Sequence, residues 1–296
     1  MALKFETIQN LSVDSINNTN RMLSETVGRI SSGSKLSNIG DDALGYSKAQ
    51  KLQSSATRLR ASKINIQNAI SFAQTTNSFL GNIMDSLTRM SEVASQARGV
   101  NVPPEDRKGY QYEFNQLAQQ LQDIIGKSGS TNGARPHATF NGLELFAPQS
   151  ENGIKVVITD DSNSNAMKIP EVNLRAGSIA SLSGLTFDFD NLATVSDPSD
   201  PGGLVTLVNK VNNAIEQVGN ELATMSGVQY RLEQNLAGND VSIQNIESAF
   251  SRFRDADIAS ESTKMAKFNI LLRSNYAVMT QANLMPRQIV DALSKL

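Results

Sequence analysis

At 296 residues the chain is long enough for a sizeable core and for one or two ordinary domains. A net charge of −2 implies neither a nucleic-acid surface nor an anionic membrane as partner. With 5% aromatics, no Trp and no Cys, the chain packs mainly aliphatic side chains and carries no disulfide, thiolate nucleophile or Cys-ligated metal.

The first residues, Met1-Ala2-Leu3-Lys4-Phe5-Glu6, lack the apolar run of a cleaved signal peptide. Nowhere do about 18 apolar residues follow one another to span a bilayer. Leu3, Phe5, Ile8, Leu11, Ile16, Leu23, Val27 and Ile30 draw an apolar stripe along a first helix. Ser31 to Gly45, with three glycines and many small polar residues, ends that helix and starts another. Asp41 and Asp42 suit the new N-terminus. From Leu59 the seam runs Ile66, Ala69, Ala73, Leu80, Ile83, Leu87, Met90, Ala94 and Ala97, in steps of three, four and seven. A helix from Gly45 to Arg98 reaches roughly 80 Å at 1.5 Å per residue. A globule of this chain length has a radius of gyration of about 19 Å. The spacing therefore predicts an elongated rod of antiparallel helices rather than a globule.

All eight prolines lie at or after Pro103, and residues 202–285 contain none, so both flanks are free to be helical. Pro103-Pro104 with Glu105 and Asp106 starts a helix with Tyr110, Phe114, Leu117, Leu121 and Ile124 inward. The middle, 139–203, reads differently. Ile154 to Thr159 is a strand, Asp160 to Asn165 a polar turn, and Met167 to Ile169 the return strand of a hairpin. Leu185 to Phe189 alternates, and Asp197 to Gly203 is a loop. Leu204, Leu207, Val211, Ile215, Val218, Leu222, Met225, Leu232 and Leu236 form the next seam, which resumes from Ile243. Leu272, Met279, Leu284, Ile289, Leu293 and Leu296 give the far end its own apolar stripe. The fold class expected is mainly α, an antiparallel helical rod or coiled coil built from both chain ends, with a small β-hairpin region in the middle. Its parts are a terminal module (1–45 and 255–296), a helical rod (46–138 and 204–254) and the β region (139–203).

Nothing points to catalysis. His137 is the only histidine, which excludes a multi-His metal site, and a lone loop histidine is ordinarily a solvated one. Gly126-Lys127-Ser128 ends like a phosphate loop, but Leu121 stands where that loop needs its first glycine. Asp161 to Asn165 begins like a calcium loop, but Ala166 replaces its glycine and Val172 its closing Glu. Asp255 and Asp257 project from different faces of a helix. No cofactor is expected. The terminal stripes carry the signal instead. Two short helices meeting only each other bury part of such stripes, and the rest wants a partner molecule. A rod that meets its neighbours through different patches makes open helical filaments.

Several motifs, in order at both ends, resemble bacterial flagellin. They are Ile30 to Leu36, Asp41 to Gly45 and Ser71 to Thr76, then Val228 to Leu232, Arg254 to Ile258 and Ala282 to Pro286. The resemblance covers nearly the whole chain except the middle. It implies a short flagellin without large outer domains, a non-enzymatic subunit that polymerises with itself into the flagellar filament. The junction protein between hook and filament shares both end motifs and is the alternative. The resemblance also implies unfolded type III export without a cleaved leader, an extracellular location, and a chaperone on the C-terminal segment. Filament cap and hook-junction proteins are further implied partners. Arg89, Val93 and Glu113 match the surface that an animal Toll-like receptor reads in this family, a surface also used between subunits.

Overall fold

The computed structural model describes residues 2–36, 40, 42–99, 102–126, 138–146, 154–158, 166–175, 179 and 204–293, the side chains of 2–9, 104 and 285–293 excepted. Among them lie five helices: α1 (Ala2–Ser32), α2 (Ala43–Ala97), α3 (Pro104–Ile125), α4 (Leu204–Arg254) and α5 (Ile258–Leu293). Two small hairpins occupy the middle, β1 (Thr139–Phe140) with β2 (Leu143–Glu144), and β3 (Ile154–Val157) with β4 (Ala166–Ile169). The mainly α class with a central β-hairpin region is therefore met. The chain forms two compact units, Met1–Thr57 with Ile243–Leu296, and Arg58–Ser242. The helix breaks fall where the glycines and polar runs predict. The boundaries between the units lie within α2 and α4, so both helices contribute to both units.

In the first unit α1 packs along α5. The pair is antiparallel. Going back 19 residues on the α1 side, from the Ser34–Asp255 bridge to Ser15, carries the partner forward 20, to Asn275. Both helix breaks are capped. Gly33 follows α1 at φ +66°, the left-handed conformation that glycine adopts without strain. Asp42 accepts the Gly45 N–H at 2.7 Å at the start of α2. Asp257 accepts the Ala259 and Ser260 N–H groups at 3.0 and 3.2 Å at the start of α5. Each such cap is worth about 1 kcal/mol. The two breaks are stitched together: Lys35 N donates to Arg254 O at 2.8 Å and Ala256 N to Gly33 O at 2.9 Å.

In the second unit the seams of α2, α3 and α4 close on one core, with Leu80, Leu87, Met90, Phe114, Leu121, Val211 and Val218 all buried. Cross-links from Lys63 to Asp240 (2.7 Å), Asn77 to Gln229 (3.0 Å) and Ser91 to Asn212 (3.3 Å) run α4 antiparallel to α2. The hairpins cover this bundle. In β3–β4, Val156 faces Met167 across the strands, both side chains buried. Ser62 on α2 donates to Val157 O at 2.9 Å, and Phe72 meets Phe140 edge-on at 5.7 Å. Sequence reasoning missed the β1–β2 hairpin. Its signal was present in Asn141-Gly142, whose positive φ values of 50° and 80° suit a two-residue hairpin turn. Arg175 was missed as well. It donates to Ile125 O at 2.9 Å and pairs with Glu144 at 2.8 Å, tying the end of α3 to that hairpin.

Candidate functional site

No catalytic constellation appears among the described residues, and no group of three His, Asp or Glu there could hold a metal. No described helix is long and apolar enough to cross a membrane. His137, Lys127-Ser128, Asp161 to Asn165 and Leu185 to Phe189 lie outside the described residues. Asp255 and Asp257 differ from expectation: both sit in the break between α4 and α5, not on a helix. Asp257 serves as the cap and Asp255 accepts the Ser251 hydroxyl, so both carboxylates have structural work.

The terminal stripes separate into two populations. Ile16 and Ala282 are buried; Leu23, Ile30, Met265, Phe268, Leu272 and Met279 are half-buried. These occupy alternating three- and four-residue steps, 16–19–23–26–30 on α1 and 261–265–268–272–275–279–282 on α5. That is the spacing of a helix-pair seam. The second population points away from it. On α1, Val13 and Val27 lie fourteen residues apart on one flank, with Met22 on the other, and Leu11 is 71% exposed. On α5, Leu271 and Val278 share a flank, Tyr276 takes the opposite one, and Ile270 and Leu284 sit fourteen apart on the back. Ile270 is 68% exposed.

A surface helix carries polar residues on its outer face, whereas a helix apolar on every side is built to be buried. The comparison lies in the same chain. In the second unit only Ile64 on α2, Tyr112 on α3, and Tyr230 and Val241 on α4 are exposed large apolar residues among the described helical positions. Of the predicted terminal residues, then, Ile16, Leu23, Leu272 and Met279 belong to the seam. Leu11, Val27 and Leu284 face outward. Leu3, Phe5, Ile8, Ile289, Leu293 and Leu296 lie outside the described side chains.

Of the three predicted surface residues in the second unit, the structure joins two. Arg89 Nε donates to Glu113 Oε1 at 2.6 Å, and its Nη1 reaches Glu92 at 3.1 Å. The hydrogen bonds it donates to Glu113 first, then Glu92, raise the guanidinium above its already high ordinary value, so this exposed charge persists at any working pH. Val93 corrects the expectation. It is 0% exposed and belongs to the core of the bundle, because it stands three residues after Met90 on the inward face.

Comparison with known proteins accords with this layout. The model of the bacterial flagellin N-terminal helical region matches residues 6–151, and that of the C-terminal helical region matches 208–293. The flagellar filament 33 kDa core protein of Treponema phagedenis is 27% identical over 283 residues, 94% of each chain. The flagellin of Bacillus subtilis is 26% identical over 305 residues, 96% of this chain and 99% of its own. The flagellar filament core protein flaB2 of Brachyspira hyodysenteriae is 29% identical over 269 residues, 89% of each.

Proposed function

The chain belongs to the bacterial flagellins, structural subunits of the flagellar filament, and on that premise we propose that its copies join one another through the outward faces of α1 and α5. The exposed apolar residues on the flanks and back of those helices carry this reading. Fully burying one such side chain contributes about 1.5–3 kcal/mol. Five of them supply on the order of 10 kcal/mol, comparable to the cost of immobilising a subunit. A contact of one flank with the different flank of a neighbour is heterologous and propagates. Leu3, Phe5, Ile8, Ile289, Leu293 and Leu296 extend the same interface, and the terminal module lines the filament core. The filament reading is supported over the junction protein by the names of the similar proteins, which are filament proteins.

Seeded growth followed by light scattering and electron microscopy tests the reading. Leu271→Asp or Ile270→Asp is expected to slow growth at least tenfold, since a charge replaces a side chain due for burial. Ile64→Asp, at a position also exposed but on α2, leaves it unchanged. Wild-type growth by both α5 variants overturns the interface.

The same reading has the chain exported unfolded through the type III channel without a cleaved leader, and assembled outside the cell. An unassembled α5 with apolar residues on three sides is an aggregation hazard, which a chaperone on the C-terminal segment would cover. Filament cap and hook-junction proteins meet the same faces. Recognition by a Toll-like receptor would rest on the exposed Arg89–Glu113 pair without Val93. Arg89→Ala is then expected to lower activation of receptor-bearing reporter cells at least tenfold, as loss of an Arg anchor commonly does. Equal activation by the variant and the parent removes this partner.

A further inference from the structure

The α1 side of the α1–α5 seam is half polar. It runs Ser12, Ile16, Thr19, Leu23, Thr26, Ile30, so every second inward position carries a hydroxyl. Thr19 and Thr26 donate to carbonyls on their own helix, Ser15 O at 2.7 Å and Met22 O at 2.8 Å. Their hydroxyl lone pairs remain available as acceptors. One amide crosses the seam to Thr19 and the neighbouring Ser15. Asn275 Nδ2 lies 3.2 Å from Ser15 Oγ and 3.3 Å from Thr19 Oγ1.

Resting on the filament reading above, we propose that Asn275, read by Ser15 and Thr19, fixes together with the Gly33–Lys35 and Arg254–Ala256 stitch the register in which the two terminal helices of a subunit close. An apolar seam tolerates a one-heptad slip, because one aliphatic knob resembles the next. A seam asparagine does not, and a single one is known to set register at some cost in stability. A slip of seven residues exchanges Ser15 for Met22 or Ile8, leaving the amide at most one hydroxyl, on Thr26 or Ser12. Each seven-residue slip moves one helix about 10 Å along the other. It would shift the flank of α5 against that of α1 and spoil a surface that every subunit must present identically.

The chain has no cysteine, so engineered thiol pairs report register directly. Counting from the Ser34–Asp255 bridge and Asn275, Leu23→Cys with Phe268→Cys is in register. Leu23→Cys with Glu261→Cys, and Ile30→Cys with Phe268→Cys, report slips in the two directions. Full-length chain is oxidised during seeded growth and the cross-linked fraction measured. With Asn275 present, only the in-register pair closes. Asn275→Leu is expected to raise the slipped cross-links at least tenfold and to shorten the filaments. Ser15→Ala, at an exposed position, does so partially without disturbing the seam volume. Slipped pairs that stay open in both variants overturn the proposal. So does loss of every cross-link in Asn275→Leu, since Asn275 would then hold the pair together rather than choose its register. Failure of the parent chain to grow on seeds instead removes the filament reading itself.

Discussion

Trimmed to residues 43–254, the chain is expected to remain a soluble monomer that no longer adds to filament seeds. The trimming removes α1 and α5 and with them ten exposed large apolar side chains: Leu11, Val13, Met22, Val27, Ile258, Ile270, Leu271, Tyr276, Val278 and Leu284. Their burial on assembly is the main favourable term in the proposed contact. A loss of even 3 kcal/mol would weaken association more than a hundredfold. The core of the second unit draws its buried residues from 66–232 and uses nothing from the removed helices. Urea unfolding of the trimmed chain should therefore remain a cooperative transition, followed by circular dichroism. Filaments from the trimmed chain at the parent rate would place the interface elsewhere.

Phe114→Ala is expected to cost the second unit about 3–5 kcal/mol, a large share of the roughly 5–15 kcal/mol by which such units are stable. Phe114 is fully buried on α3, in the cluster that joins α2, α4 and the hairpins. Removing its ring leaves a cavity that three helices locked to one another by seam residues cannot readily collapse. Tyr112, two residues away, is 69% exposed, and Tyr112→Ala should move stability by no more than about 0.5 kcal/mol. The denaturant midpoints of the two variants make the comparison. Equal midpoints would mean that α3 is not part of the cooperative core.

The helical part of this fold was legible because its code is local. Steps of three and four from Ile66 to Ala97, the Pro103-Pro104 start and Gly33 each act within a few residues, and each appears where read. Long-range choices were less visible. The terminal stripe mixed Ile16 and Leu23, which face α5, with Leu11 and Val27, which do not. Apolarity alone cannot separate them when Thr19 and Thr26 complete the seam. Val93 was misplaced for the opposite reason. A family resemblance put it on the surface although its spacing from Met90 puts it inside. Arg175 could not be found at all, since Ile125 and Glu144 come to it only through the tertiary fold.

The stitch between the two helix breaks also dictates an order of events. Gly33 to Lys35 and Arg254 to Ala256 are some 220 residues apart, yet they exchange two backbone hydrogen bonds. Closing so long a loop costs entropy that the shorter-range bundle reduces once it has formed, so the stitch is expected to follow the bundle. If the chain emerges amino end first from whatever delivers it, α1 must wait for nearly the whole polypeptide before its counterpart arrives. On a chain threaded in that direction the pairing of α1 with α5 is thus a late event, and α1 stays without its seam partner until α5 arrives.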